Sequence, residues 1–259
     1  MNNIFSFPRF SQLFIKHTQE YYKTYLLSIG VIVTLLAAML GFISYVTDGN
    51  LGVKIQFAIF FWFFIGAGSI FTSMIFSELG NSRKSIAMLM LPASHFEKYL
   101  VAWIYSFVIY QLAFVLSFYA VDLLVLSLQN SGKDEKMALL NLQGIETNYG
   151  MALVFFSILH GLTFLGAVFF EKLHFIKTAC MVAVLCLVII FINKYLAIAI
   201  LGVELEKVVP FANAAFKEAD NYYTLESQSS IKPVMVGMAY TIVLILWIGA
   251  YFKLKEKQV

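Results

Sequence analysis

Charge is what this sequence has least of. Asp, Glu, Lys and Arg make up 13% of its 259 residues and hydrophobic residues 61%, where a soluble domain carries about a quarter charged residues. That shortage excludes the soluble globular class, and no nucleic-acid partner is expected of a chain with so little charge. Proline is also scarce, with four residues against 26 phenylalanines. The two cysteines, Cys180 and Cys186, lie six positions apart in one apolar run. On a helix they point to different faces, so they cannot bridge to each other; they read as small apolar filler.

Motifs of chemistry are missing as well. There is no G-x-x-x-x-G-K-[ST] phosphate loop, so this chain cannot bind ATP in that manner. There is no H-E-x-x-H, and Gly66–Ser69 is not a G-x-S-x-G elbow. Glu171 and His174 form a single E-x-x-H, where di-iron bundles use that spacing twice together with further carboxylates. Neither a metal nor a cofactor is expected on this chain, and no catalytic residue is assigned.

What is present is six long apolar runs: Tyr25–Tyr45, Ile55–Phe76, Tyr99–Val121, Met151–Phe170, Phe175–Ile192 and Val234–Phe252. Each is close to the ~20 residues that a helix needs to cross ~30 Å of hydrocarbon. Only Lys177 brings a formal charge inside these limits. In lipid a backbone must satisfy its own hydrogen bonds, which makes each run a helix. The fold class expected is an all-α membrane protein, one domain over residues 1–259. The polar and aromatic residues before the first run, and that run's length, do not fit a cleaved signal peptide.

The loops place basic residues unevenly. The N-terminus, Ser77–Lys98, Glu171–His174 and the C-terminus share one side, which with Lys177 carries eleven basic and five acidic residues. The opposite side carries seven basic and nine acidic residues. By the positive-inside rule both termini are expected in the cytoplasm.

Phe7–Tyr25 reads as an amphipathic helix, with Phe7, Phe10, Phe14, Tyr21 and Tyr25 at spacings near three and four, Leu13 beside them, and Arg9, Lys16, Glu20 and Lys23 elsewhere on the wheel. It fits a helix lying in the interface, or a cytoplasmic extension of the first span. The segment Ser77–Leu100 reads SELGNSRKSIAMLMLPASHFEKYL. Ser82 is placed to cap a short helix over Arg83–Leu91. Pro92 stops it, and Ser94 with Glu97 forms a capping box opening the third span. That helix has an apolar face at Ile86, Leu89 and Met90, with Arg83 and Lys84 at its start. Ser127–Gly150 reads as polar and irregular. Asn193–Pro233, apolar in its first half and broken at Gly202 and Pro210, reads as re-entrant or surface-lying helical pieces.

Within the spans, Gly66, Ser69, Ser73 and Ser77 form a small-residue face suited to close helix packing. Phe57, Phe60, Phe61 and Phe64 on the other side face lipid or a hydrophobic path. His160, in the middle of the fourth run, reads either as a neutral histidine bonded to a neighbouring helix or as a polar group on a path. Asp122, where the third run meets the outer interface, reads as a snorkelled or loop-paired carboxylate, or with His160 as a proton relay.

This layout resembles that of type-2 ABC exporter permeases. Arg83–Leu100, RKSIAMLMLPASHFEKYL, is similar to the cytoplasmic loop of bacterial members, in which an L-P-A-S-x-x-E-K pattern leads into the third span. The resemblance implies a multi-pass subunit of the bacterial cytoplasmic (inner) membrane, pairing with a second permease copy, identical or not. It also implies a separate ATPase subunit that carries ATP and Mg. Arg83, Lys84, Ile86, Leu89, Met90, Leu91 and Pro92 would then form the coupling helix. Phe60, Phe61, Phe64 and His160 are the candidates for a path through the spans, which would suit an apolar or amphipathic cargo. Readings from other classes are a non-transporting anchor or scaffold subunit of an envelope complex, and an intramembrane enzyme.

Overall fold

The computed structural model describes residues 5–76, 90–131, 137–144, 147–170, 173–201, 205–208, 214–218, 221–225 and 232–256. Six helices among them are long and apolar enough to cross a membrane. In chain order these are α1 (Phe7–Val46), α2 (Val53–Met74), a compound third crossing, α5 (Tyr149–Phe169), α6 (His174–Leu201) and α7 (Lys232–Glu256). The third crossing consists of α3 (His95–Trp103), a π-helical segment (Ile104–Ile109) and α4 (Tyr110–Gln129). The protein is therefore a multi-pass, mainly α-helical membrane protein, as the apolar runs require.

The helix at the amino end differs from the expected separate interfacial element. α1 is unbroken for 40 residues, about 60 Å at 1.5 Å per residue, so the amphipathic stretch is an extension of the first span. Pro8 sits in the first turn, where its missing N–H costs nothing, and no further proline interrupts the run. Its rings pack on protein instead of lying flat on headgroups. Phe14 and His17 reach the Tyr105 ring at 4.9 and 4.6 Å between centroids, and Tyr25 meets Tyr105 and Phe71, each at 5.5 Å.

Two boundaries are corrected. The third crossing runs on to Gln129, so Asp122 lies inside α4, fully buried; it accepts the Leu140 N–H of the following segment, in keeping with the loop-paired reading. After α6, which extends the fifth span to Leu201, the described residues form strands and not re-entrant helices. β1 (Leu205–Val208), β2 (Ala214–Glu218) and β3 (Asn221–Leu225) make an antiparallel meander in the order β1-β2-β3. Glu218 pairs with Asn221, and a register shift lies between Leu205 and Lys207. Lys194–Leu201 holds no glycine or proline and simply continues the helix. Beyond Gly202, the β-branched and aromatic residues Val208, Phe216, Tyr222, Tyr223 and Thr224 favour an extended backbone.

α5 is the central helix; α7, α2 and α6 pack against it. Small residues set these approaches. A Cβ on Gly68 of α2 would lie 2.5 Å from Phe156 and 2.8 Å from Tyr110, and one on Gly166 of α5 would overlap Thr178 of α6. The small face expected at Gly66 is misplaced by two residues, since Gly66 faces open space. The main core is a stack of rings. Phe60, Phe64, Phe114, Phe118 and Phe156 are all buried within it, beside Leu36, Leu40 and Leu140. A second cluster gathers Phe76, Tyr99, Phe164 and Leu254 at the end of the bundle that carries the termini.

Candidate functional site

The segment between α2 and α3 enters α3 through a capping box, as the sequence predicts. Ser94 Oγ accepts the Glu97 N–H at 3.1 Å, and Glu97 Oε2 accepts the Ser94 N–H at 2.8 Å. The sequence gives no hint of what the other carboxylate oxygen does. Glu97 Oε1 accepts the backbone N–H of Ser6 at 2.7 Å and the Arg9 guanidinium at 3.1 Å. The Glu97 side chain is fully enclosed, while the Arg9 side chain remains 39% exposed. One buried carboxylate thus ties three things together: the start of α3, the end of the α2–α3 connection and the start of α1. Phe96 adds an edge contact to Phe5 at 6.2 Å. Charge-assisted bonds of this kind are about twice as strong as neutral ones.

Of the residues assigned to the coupling helix, Arg83, Lys84, Ile86 and Leu89 lie outside the described residues. Met90 occupies a turn and is 79% exposed; Leu91 and Pro92 follow in a bend leading to Ser94. The described end of this segment therefore offers an apolar side chain to its surroundings from a rigid base.

Further along the third crossing, the π segment coincides with two features. Tyr110 N–H donates to Tyr105 O, five residues back, and such wide turns often mark working sites. On one side Tyr105, Tyr110, Tyr25, Ile29, Phe71 and Ser117 line a cavity of about 70 Å³. A dry cavity of about 150 Å³ holds benzene, so this one admits only a few methylene groups. Its surface is almost wholly apolar, because two of its tyrosines bond elsewhere: Thr18 Oγ1 pairs with the Tyr105 hydroxyl, and His17 Nε2 with the Tyr25 hydroxyl at 2.6 Å.

On the other side the π segment meets His160. Trp247 Nε1–H donates to His160 Nδ1 at 3.0 Å, and His160 Nε2 lies 2.9 Å from Ser106 Oγ. An indole N–H can only donate, so Nδ1 is an acceptor and the proton sits on Nε2. Ser106 passes its own hydroxyl proton to Ala102 O at 2.8 Å. The network is complete and joins the third crossing, α5 and α7. Phe107 and Phe164 cover the imidazole at 5.1 and 5.2 Å. His160 is the neutral, bonded histidine of the two alternatives. It cannot relay protons with Asp122, which lies 16 residues beyond Ser106, about 24 Å further along the crossing.

The other candidates for a path are distributed unevenly. Phe60 and Phe64 are enclosed in the ring core, with Phe60 at 5.1 Å from Phe118 and Phe64 at 4.5 Å from Phe156. Phe61 is half-buried, edge-on to Phe155 at 6.0 Å. None of them lines the cavity. Among the described residues there is no group of three metal-ligating side chains; Glu171 and the side chain of His174 fall outside them. Cys180 and Cys186 are free and exposed on α6.

Arg9, Ser6, Tyr105 and Trp247 are the site residues that pattern reading missed. Their partners lie between 87 and 91 residues away, and no local signal marks such pairings. Comparison with protein-family models, with curated proteins and with solved structures gave no match.

Proposed function

We propose that this chain is the membrane-spanning subunit of an ATP-driven exporter of the type-2 ABC class, working with a separate ATPase that grips the connection between α2 and α3. The resemblance of Arg83–Leu100 to the coupling loop of that class is the first support. The observation that carries the reading is the Glu97 junction. A handle can transmit force only if its base does not yield, and Glu97 anchors this base to both the first and the third crossing. A partner's conformational change reaches the helices only through a segment held differently in the two states.

The bareness of α6 supports pairing with a second copy. Only 6% of its apolar window is buried within the chain, against 61% for α5, and its exposure runs around the whole circumference beyond Thr178. In this reading α6 meets lipid on one side and the partner permease on the other. The enclosed positions of Phe60, Phe64 and His160 support a cargo path between subunits, outside the core of one chain.

The test is affinity purification of the tagged protein from its native membrane. An ABC ATPase should accompany it, and Arg83→Glu combined with Met90→Asp should release that ATPase while membrane insertion persists. An ATPase that stays bound after both changes would remove the coupling assignment. The small cavity and solid ring core favour one rival, a non-transporting anchor subunit, which the absence of any ATPase from the purified complex would support.

A further inference from the structure

At the end of the bundle opposite the termini, the segment 137–144 lies against α2 and α4. Several side chains hold its backbone, among them Asn130, whose amide oxygen accepts the Met137 N–H at 2.8 Å and whose amide nitrogen donates to Met137 O at 3.1 Å. Gln56 Nε2 donates to Ala138 O at 3.1 Å and to Leu51 O at 2.8 Å. Tyr119 donates its hydroxyl proton to Leu140 O at 2.9 Å, and Asp122 Oδ2 receives the Leu140 N–H at 3.5 Å. The Leu140 side chain is buried in the ring core.

Gln56 of α2 and Asp122 of α4 bond to positions two residues apart in this segment, Ala138 and Leu140. Phe60 and Phe118 are in edge contact at 5.1 Å. Gln56 lies one helical turn from Phe60, and Asp122 one turn from Phe118, both toward the same end of the bundle. Both side chains are fully buried, and each has one oxygen with no partner: Gln56 Oε1 and Asp122 Oδ1. Turning the Gln56 amide over does not help, because its oxygen would then face two carbonyl oxygens. Each of these buried acceptors lacks a donor, and an unmet buried acceptor is costly. Of the described titratable side chains, Tyr119 shares the segment with Asp122, and Tyr149 meets Phe60 at 6.1 Å.

We propose that Asp122 and Gln56 form a proton-binding site in which Asp122 Oδ1 carries the proton and donates it to Gln56 Oε1, latching the segment 137–144 onto α2 and α4. Loss of the proton sets a carboxylate against an amide oxygen and weakens the tie between α2 and α4 at this segment. The site is independent of the exporter reading and would operate in any protein with this fold.

Infrared spectroscopy on the purified full-length protein in lipid nanodiscs, with carbon-13-labelled aspartate, tests this. In mildly acidic buffer the wild type should show a protonated-carboxyl band that shifts with the label and is missing in Asp122→Asn. Gln56→Leu, which keeps the acid but removes its acceptor, should retain that band and move it to higher frequency. Thermal unfolding gives a second readout. The folded state holds a proton that the unfolded chain releases near pH 4, so the wild-type unfolding constant should rise by up to tenfold per pH unit above about pH 4, until the folded protein loses the proton. Asp122→Asn, whose amide can donate to Gln56 and accept from Leu140, should lack that slope. No labelled acid band in the wild type, or a band that Gln56→Leu does not move, would overturn the assignment; so would equal pH slopes in wild type and Asp122→Asn.

Discussion

Replacing His160 with phenylalanine separates a lock from a path. The phenyl ring keeps the stacking on Phe164 and the edge contacts with Phe107 and Trp247, so packing changes little. It removes the acceptor for Trp247 Nε1–H and the donor to Ser106. Ser106 retains Ala102 O, so only the indole N–H loses its acceptor. Leaving one buried donor unmet costs about 1–3 kcal/mol, a loss readable in a total stability of about 5–15 kcal/mol. The assay is reversible unfolding in bicelles, run as a double-mutant cycle with Trp247→Phe. If the hydrogen bond is the energetic link, the double variant should lose less than the sum of the singles, by about 0.5–3 kcal/mol. His160→Gln, whose amide can both accept and donate, should recover part of the loss. Strictly additive losses, or a His160→Phe protein as stable as the wild type, would refute the lock.

Other perturbations follow from the same contacts. Gly68→Ala should destabilise by about 1–3 kcal/mol, because its Cβ would meet the Phe156 and Tyr110 rings, whereas Gly66→Ala, with nothing near, should be neutral; chemical unfolding of the pair reads the difference. Glu97→Ala should cost about 2–4 kcal/mol by removing the cap and leaving Ser6 N–H and Arg9 without their acceptor, with faster hydrogen exchange in the first turn of α1 as its local sign. Arg9→Ala should cost under about 1 kcal/mol, since that side chain is partly solvated. A cysteine placed at Ser85 should react with a membrane-impermeant maleimide only after cells are opened, and labelling of intact cells would invert the topology.

The crossings were legible because hydrocarbon imposes one demand, length and apolarity, on contiguous residues. Ser94 and Glu97 were legible for a similar reason: a capping box is written within four positions. What the sequence could not convey was which partner a side chain finds across the bundle. The ring stripe from Phe7 to Tyr25 has the same spacing whether it lies on headgroups or packs on Tyr105, and only the neighbouring crossing decides. The second bond of Glu97, to Arg9 88 residues away, is equally silent in the chain. The largest boundary errors were overruns. The third and fifth spans ran on past Val121 and Ile192 because hydropathy falls before helicity does; a helix continues through Asp122 or Lys194 until glycine or a β-favouring run stops it.

That overrun has a functional consequence. It brings Asp122 inside the protein instead of leaving it at the lipid edge, one turn beyond the Phe60–Phe118 contact. Reading the span as closed at Val121 made Asp122 a snorkelled or loop-paired carboxylate at the outer interface. Placing it inside α4, fully buried and short of one donor, makes it the most demanding group at that end of the bundle. At the opposite end Glu97 is equally buried but fully satisfied by Ser6, Ser94 and Arg9. The two carboxylates on one crossing are thus unlike in kind: Glu97 is satisfied without further help, whereas Asp122 accepts from Leu140 but needs a further proton to satisfy its second oxygen. A crossing fixed at one end and conditionally fixed at the other would move at the conditional end first.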